Sequence, residues 1–243
     1  MLRRELALVI SLVTKDCSPF SVMINVKMLL GVMNMTGFFW EKDDFDVFSI
    51  EGLENRMTAL QNRIQPKFGT LGMHFADRLS AHGTDEFFPH VAKHARRTVN
   101  PPNDSWVAFA PAKRGYKALP HFQIGLWGTH LFIILAVIYE NSDKKGIAER
   151  LDSKSDVLTS LPGTYIVSGD HMKPEATTID QAGDIGLEQL LERLHTINKA
   201  EFLVGRHLPR EDAVKLSTEE FMAFAEETFD QLLPVYDVVI NKQ

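Results

Sequence analysis

The sequence predicts an α+β domain: a mostly antiparallel sheet of about five or six strands with helices packed around it. Three observations point there. Apolar residues recur at helical spacing between Leu53 and Leu79 and again after Asp184. Between them the period changes to two, most clearly in His121–Trp127, where Phe122, Ile124 and Leu126 alternate with His121, Gln123, Gly125 and Trp127. A turn at Gly128–Thr129 then leads directly into another apolar run, which makes the two runs antiparallel neighbours.

Taken in order, Asp43–Phe48 reads as a short helical turn. Leu53, Met57, Leu60 and Ile64 form one stripe, Pro66 interrupts, and Phe68, Leu71, Phe75 and Leu79 continue it to a stop at His82–Gly83. Two helices, or one bent at Pro66, are expected. Trp106–Ala110 is a short aromatic strand between turn-rich segments, in which Asp104 reads as a turn residue. In His121–Trp127 the wholly apolar set faces the core, and His121, Gln123 and Trp127 face the other side. Leu131–Tyr139 is apolar on both faces, as in a central strand. Lys144–Leu151 reads as a charged helix and Tyr165–Gly169 as a strand, closed by Ser168, Asp170 and His171. A helix carrying Leu187, Leu190, Leu191, Leu194 and Ile197 starts near Asp184, and Glu201–Arg206 is a further strand. Ser217 followed by Glu220 is a capping box. The helix it opens carries Phe221, Phe224, Ala225, Phe229, Leu232 and Leu233 until Pro234 bends or ends it.

At 243 residues the chain can bury a substantial core, and its 44% hydrophobic and 24% charged content is ordinary for a globular protein. Residues 35–243 are expected to form one domain. Residues 1–34 read as an N-terminal extension, disordered or arising from the choice of start site. Their apolar run Leu6–Val13 is far shorter than the roughly 20 residues that cross a bilayer, and no membrane partner is expected. A single cysteine, Cys17, excludes an intramolecular disulfide framework and multi-cysteine metal sites, and fits a cytoplasmic setting.

The formal net charge of −6 argues against a globally basic nucleic-acid binder. It conceals an asymmetry. From His90 to His121 the cations are Lys93, Arg96, Arg97, Lys113, Arg114 and Lys117, against the single acid Asp104. That stretch carries +5 and leaves −11 for the remainder. Arg96 and Arg97 offer forked donors to a phosphate or carboxylate. The proline-stiffened run Asn100–Pro101–Pro102–Asn103 follows, and Arg114, Tyr116 and Lys117 form a second cationic loop. Whether the two loops share one end of the sheet is not fixed by the sequence. Trp106, Tyr116 and Trp127 can stack on a ring; alternatively the tryptophans are core and the arginines pair with the acidic body.

His90, His94, His121 and His130 invite a three-histidine zinc site. There is no HExxH pattern, and the flanking cations repel a divalent ion, so no metal is expected. No nucleophile elbow, P-loop or GxGxxG motif occurs, and no cofactor is implied. Cations beside His94 and His121 disfavour imidazolium and leave a neutral base near pH 7. The residues name no reaction. They point to a small anionic ligand (a phosphate- or carboxylate-bearing metabolite or a nucleotide) held by His94, Arg96, Arg97, Asn100, Asn103, Arg114, Tyr116, Lys117, His121, Gln123 and Trp127. The alternative is an accessory protein that binds RNA or another nucleic acid through the same patch.

The string Pro89-His90-Val91-Ala92-Lys93-His94-Ala95-Arg96-Arg97-Thr98-Val99-Asn100-Pro101-Pro102-Asn103-Asp104, with Lys113-Arg114-Gly115-Tyr116-Lys117 and Pro120-His121-Phe122-Gln123-Ile124-Gly125-Leu126-Trp127, closely resembles the YktB-like family of uncharacterised bacterial proteins. The similarity runs from about Asp43 to the C-terminus. It implies a single α+β domain of roughly 200 residues, near biotin-ligase-like architectures, and brings no catalytic residue to carry over.

Overall fold

The computed structural model describes residues 39–82 and 85–241. The expected extension over residues 1–34, Cys17 and the stop at Gly83 lie outside the described residues.

The first helical segment is organised by a buried charge. In α1 (Lys42–Asp46) the fully buried Asp44 accepts from Arg63 Nε at 2.7 Å, Lys67 Nζ at 2.6 Å and the Glu41 backbone N–H at 2.8 Å. A buried carboxylate persists only when paired in this way. After a 3₁₀ turn (Val47–Ser49) come α2 (Leu53–Ala59), a π turn (Leu60–Ile64) and α3 (Gln65–His82). Of the two expectations at Pro66, separate helices do not form: the helical segments run on without a break. Pro66 is the second residue of α3, and the wider turn before it absorbs the missing N–H. Leu60, Ile64, Phe68, Leu71, Phe75 and Leu79 all point into the core.

Seven strands form one sheet: β1 (Phe88–Val91), β2 (Asp104–Ala110), β3 (His121–Trp127), β4 (His130–Val137), β5 (Ile166–Ser168), β6 (Thr177–Thr178) and β7 (Phe202–Pro209). Their spatial order is β1-β2-β3-β4-β7-β5-β6 and every pairing is antiparallel. The α+β architecture holds, with slightly more strands than the sequence suggests. β1 is disguised by Pro89 and His90, and β6 has only two residues. β7 outruns its apolar stretch because β4 pairs with it as far as His130–Pro209.

Register assigns the two faces. Val107, Phe109, Phe122, Ile124, Leu126, Leu131, Ile133, Leu135, Val137, Val167, Phe202 and Val204 share the main core with the helices. Those helices include α4 (Lys144–Ser153), α5 (Asp156–Thr159), α6 (Ile179–Thr196), α7 (Arg210–Ala213) and α8 (Thr218–Val239). Gly183, at φ 57°, kinks α6, so its long apolar arm starts where Asp184 was expected to open a helix. α8 runs through Pro234 instead of ending there. Val235, Tyr236 and Val239 remain buried beyond it, and this packing outweighs the lost hydrogen bond. Phe229 of α8 lies 4.9, 5.8 and 5.5 Å, centroid to centroid, from Phe75, Phe109 and Phe122, joining helices to sheet.

Ser217 caps α8: its hydroxyl accepts from Glu220 N–H, and Glu220 accepts from Ser217 N–H. Ser217→Ala is expected to cost about 1 kcal/mol, read as a lower urea midpoint with unchanged slope.

Candidate functional site

The second face of the sheet carries Asp104, Trp106, Gln123, Trp127, Phe132, Ile134, Ile166, Leu203 and His207, and among the described residues no helix contributes to the apolar cluster or cavity on it. Trp127, Phe132, Ile134, Ala136, Ile138, Ile166 and Leu203 form a small apolar cluster there. Two irregular segments roof this face. The loop after β2 folds back as a 3₁₀ turn (Tyr116–Ala118), and Trp106 Nε1–H donates to Tyr116 Oη at 2.9 Å. Asp170, His171, Lys173 and Glu175, from the strap between β5 and β6, close a small cavity of about 30 Å³ against the sheet.

This fold-back brings Lys117 over the sheet face. The loops around Arg97 and Lys117 leave opposite ends of β2. Lys117 Nζ sits 5.8 Å from the Trp106 ring centre. The positive charges of Arg97 and Lys117 both act on the His94 imidazole and on the Asp104 carboxyl. The loop before β2 is anchored by the buried Arg56, whose Nε and Nη1 donate to the carbonyls of Ile50 and Pro102, each at 2.9 Å.

The expected binding residues divide. Tyr116, Lys117, His121, Gln123 and Trp127 gather on or beside this face, while Arg97 is exposed on its loop. His94 reaches it only partly: its Nε2 is 3.0 Å from Ser105 Oγ and its ring meets Trp106 edge-on at 5.6 Å. Arg96 is exposed and acts on Tyr139 at the strap's far side. Asn100 and Arg114 are exposed on their loops. Asn103 is committed to structure, its Oδ1 accepting from Arg56 Nη1 at 3.4 Å.

The buried polar groups are ordered. His121 Nδ1–H donates to the Leu119 carbonyl, and its Nε2 accepts from Gln123 Nε2, both at 2.8 Å. Burial first, then neighbouring positive charge, holds His94 and His121 down to about 4, so both rings are neutral bases near pH 7. His130 and His207 stack at 4.0 Å on the β4–β7 pair, with burial lowering them to about 4 and about 3.

Sequence reasoning missed Asp104, His171 and Glu201. Asp104 is the first residue of β2, not part of a turn. It pairs with Trp127 and faces the cavity, where burial pushes its carboxyl up to about 6 against the pull of His171, Arg97 and Lys117. His171 does follow the end of β5. Its ring also turns back onto Glu201, the buried residue just before β7: Nδ1 lies 2.8 and 2.7 Å from Oε1 and Oε2, and His171 N–H donates to Oε2 at 2.8 Å. Period-two reading of Asp104-Trp106-Ala108 would have found the first. No sequence signal joins His171 to Glu201, 30 residues away.

The histidine ring nitrogens of the suspected zinc set point to separate partners: His90 to the Ala112 carbonyl, His94 to Ser105, His121 to Leu119 and Gln123, and His130 to Thr129. Among the described residues no three His, Cys, Asp or Glu side chains converge as a metal site. None of the described helices is long and apolar enough to cross a membrane. A larger groove of about 760 Å³ beside α4 and α6 is lined by Glu149, Asp152, Glu188 and Glu192 together with Arg193 and His195.

A family model described as a domain of unknown function (DUF1054) matches residues 40–236. A UPF0637 protein of Lysinibacillus sphaericus is 56% identical over 203 residues, covering 84% of this chain and 96% of that protein. Another from Bacillus velezensis is 49% identical over 203 residues, with 83% and 97% covered. One from Exiguobacterium sibiricum is 48% identical over 195 residues, with 80% and 95% covered. The sheet, the roofed face and the string around Arg97 and Lys117 are therefore those of a member of the DUF1054 (UPF0637) family of bacterial proteins.

Proposed function

We propose that the roofed face binds a small anionic ligand, a phosphate- or carboxylate-bearing metabolite or a nucleotide, in a cytoplasmic setting. The observation that carries this reading is Lys117 Nζ at 5.8 Å from the ring centre of Trp106, a residue that lines the cavity with Asp104, Gln123 and Trp127; the charge of the exposed Arg97 also acts on Asp104. Arg97 offers forked donors and Lys117 a point charge. Trp106 and Trp127 supply flat walls, and Gln123, held by His121, presents a fixed amide. The Arg56 anchor keeps the first loop in place and lowers the entropy lost on binding.

A nucleic acid fits less well. The cleft is concave and Asp170 and Glu175 border it, which limits contact to a few phosphates. Thermal-shift screening against inorganic phosphate, nucleotides, carboxylate metabolites and RNA oligomers separates the two readings. Arg97→Ala with Lys117→Ala should keep the fold and weaken binding of the small anion about tenfold or more per cation removed. Unchanged affinity in the double variant, or preference for RNA oligomers, overturns the small-anion assignment.

A further inference from the structure

The strap between β5 and β6 has two sides. Asp170, His171, Lys173 and Glu175 border the small cavity on the sheet and also a separate groove of about 730 Å³, while Met172 borders only the groove. The groove runs on over Leu190 and Ile197 of α6 and its C-terminal cap, and Tyr139, from the loop after β4, joins its lining. Among the described residues six large hydrophobic side chains are exposed, and three of them, Tyr139, Met172 and Ile197, line this groove. They come from segments far apart in the sequence, so the fold itself assembles the patch. An exposed apolar patch with a polar border marks a binding surface.

The charges around it are uneven. Glu201 is taken up by His171, whose Nδ1 lies 2.7 Å from Oε2, and by the backbone N–H groups of His171 and Tyr139. Asp170 accepts from the Met172 N–H at 2.9 Å and pairs with Lys173 at 3.6 Å. Glu175 acts on His130, at the opposite end of β4 from Tyr139. Glu140 and Arg96 act on Tyr139 with opposite signs. Arg193 and Lys199 remain, and among the described residues neither has a carboxylate within ion-pair distance. Arg193 stands between this groove and the acidic one beside α4 and α6; Lys199 lines this one alone.

The end of a helix ordinarily disfavours an anion through its unpaired carbonyls. Here the buried Lys144 ammonium donates to the carbonyls of Ile197 at 3.4 Å, Ala200 at 2.9 Å and Asn198. That contact satisfies the acceptors and fixes the backbone that carries Ile197 and Lys199.

We propose that this groove is a second binding site, for a small amphipathic anion: an acyl or aryl chain ending in a carboxylate or phosphate. The chain lies on Tyr139, Met172 and Ile197, and the head group rests on Lys199 and Arg193. The volume is that of a small-molecule site. Tyr139 gives a flat wall and Met172 an adaptable one, and the two unpaired cations set the sign of the head group. Arg97 and Lys117 do not line this groove, so it is independent of the roofed face.

Decanoate, kept below its micelle-forming concentration, is the probe, and the methyl resonances of protein carrying ε-¹³C-methionine are the readout. The Met172 resonance is expected to shift saturably, while that of Met73, also exposed but on α3, stays in place. Arg193→Ala with Lys199→Ala should weaken decanoate about tenfold, with the unchanged Met73 resonance reporting an intact fold. Ile197→Asp should weaken it at least as much, and Arg97→Ala with Lys117→Ala should leave it unaltered. Decyltrimethylammonium, of the same length and opposite charge, should bind about tenfold more weakly than decanoate. Decyl phosphate assigns the head group: tighter binding than decanoate favours phosphate, weaker binding carboxylate, and either supports the site.

Equal affinity for the cationic amphiphile, or unchanged affinity in the Arg193→Ala, Lys199→Ala variant, overturns the proposal. Met73 and Met172 shifting in parallel overturns it as nonspecific adsorption. Loss of decanoate binding in the Arg97→Ala, Lys117→Ala variant overturns it by moving the anion to the roofed face. A Met172 shift with an acidic, leucine-containing peptide but with neither decyl anion overturns it in favour of a protein partner.

Discussion

Acidified from about pH 7 to about pH 5, the protein is expected to lose about 4 kcal/mol of stability, most of it through four histidines on or beside the roofed face. His94, His121 and His130 are held down to about 4 and His207 to about 3, from an ordinary value of 6.5, with burial the first cause in each. For a histidine lowered by folding, the unfolded chain binds the proton first. Its contribution is complete above 6.5 and drains away as the pH falls toward the folded value. Asp104 works in the opposite sense. Its carboxyl rises from 3.8 to about 6, so its neutral form favours the native state increasingly as the pH drops through that interval. One carboxyl against four imidazoles reduces the loss without reversing it. Urea midpoints at a series of pH values check the slope, and His130→Gln with His207→Gln should flatten it. A midpoint that holds steady or rises on acidification contradicts the burial assigned to these rings.

Gly205→Ala is expected to cost about 3 kcal/mol or more, with a lower urea midpoint and loss of protection in β4 and β7. Gly205 sits in the middle of β7, between Ile134 of β4 and Ile166 of β5. A Cβ there would stand 2.1 Å from the Ile133 carbonyl oxygen and 2.7 Å from Ile134 Cα. Both are backbone atoms of the central strand, so relief requires β4 and β7 to separate at their most buried point. Gly125→Ala is a useful contrast. Its Cβ would meet the Phe132 ring at 2.2 Å, a side chain that can turn at the expense of the apolar cluster beside Trp127. The strand-to-strand clash should be the more damaging of the two.

Much of the architecture was legible because burial leaves a periodic trace. The alternation in His121–Trp127 gave the strand bounds and both faces, and Ser217 with Glu220 marked the start of α8. Tertiary packing decided between readings the sequence left open at two prolines: helices continue past Pro66 and Pro234, with buried neighbours on either side. The site was legible only where it follows the chain. Arg97, Lys117, Gln123 and Trp127 lie in one cationic, aromatic stretch. Asp104 was hidden by the prolines before it, and His171 meets Glu201 only through the pairing of β5 with β7. Contacts across a sheet leave no trace in local spacing.

The borders of the sheet have a consequence for assembly. One border is β1, four residues long and including Pro89, which has no N–H to donate. The other is β6, two residues long. Neither offers the extended ladder that a strand from another molecule needs for pairing. Strand-by-strand fibrillation and edge-to-edge dimers through this sheet are thereby disfavoured, even though its central strands are among the most apolar stretches of the chain.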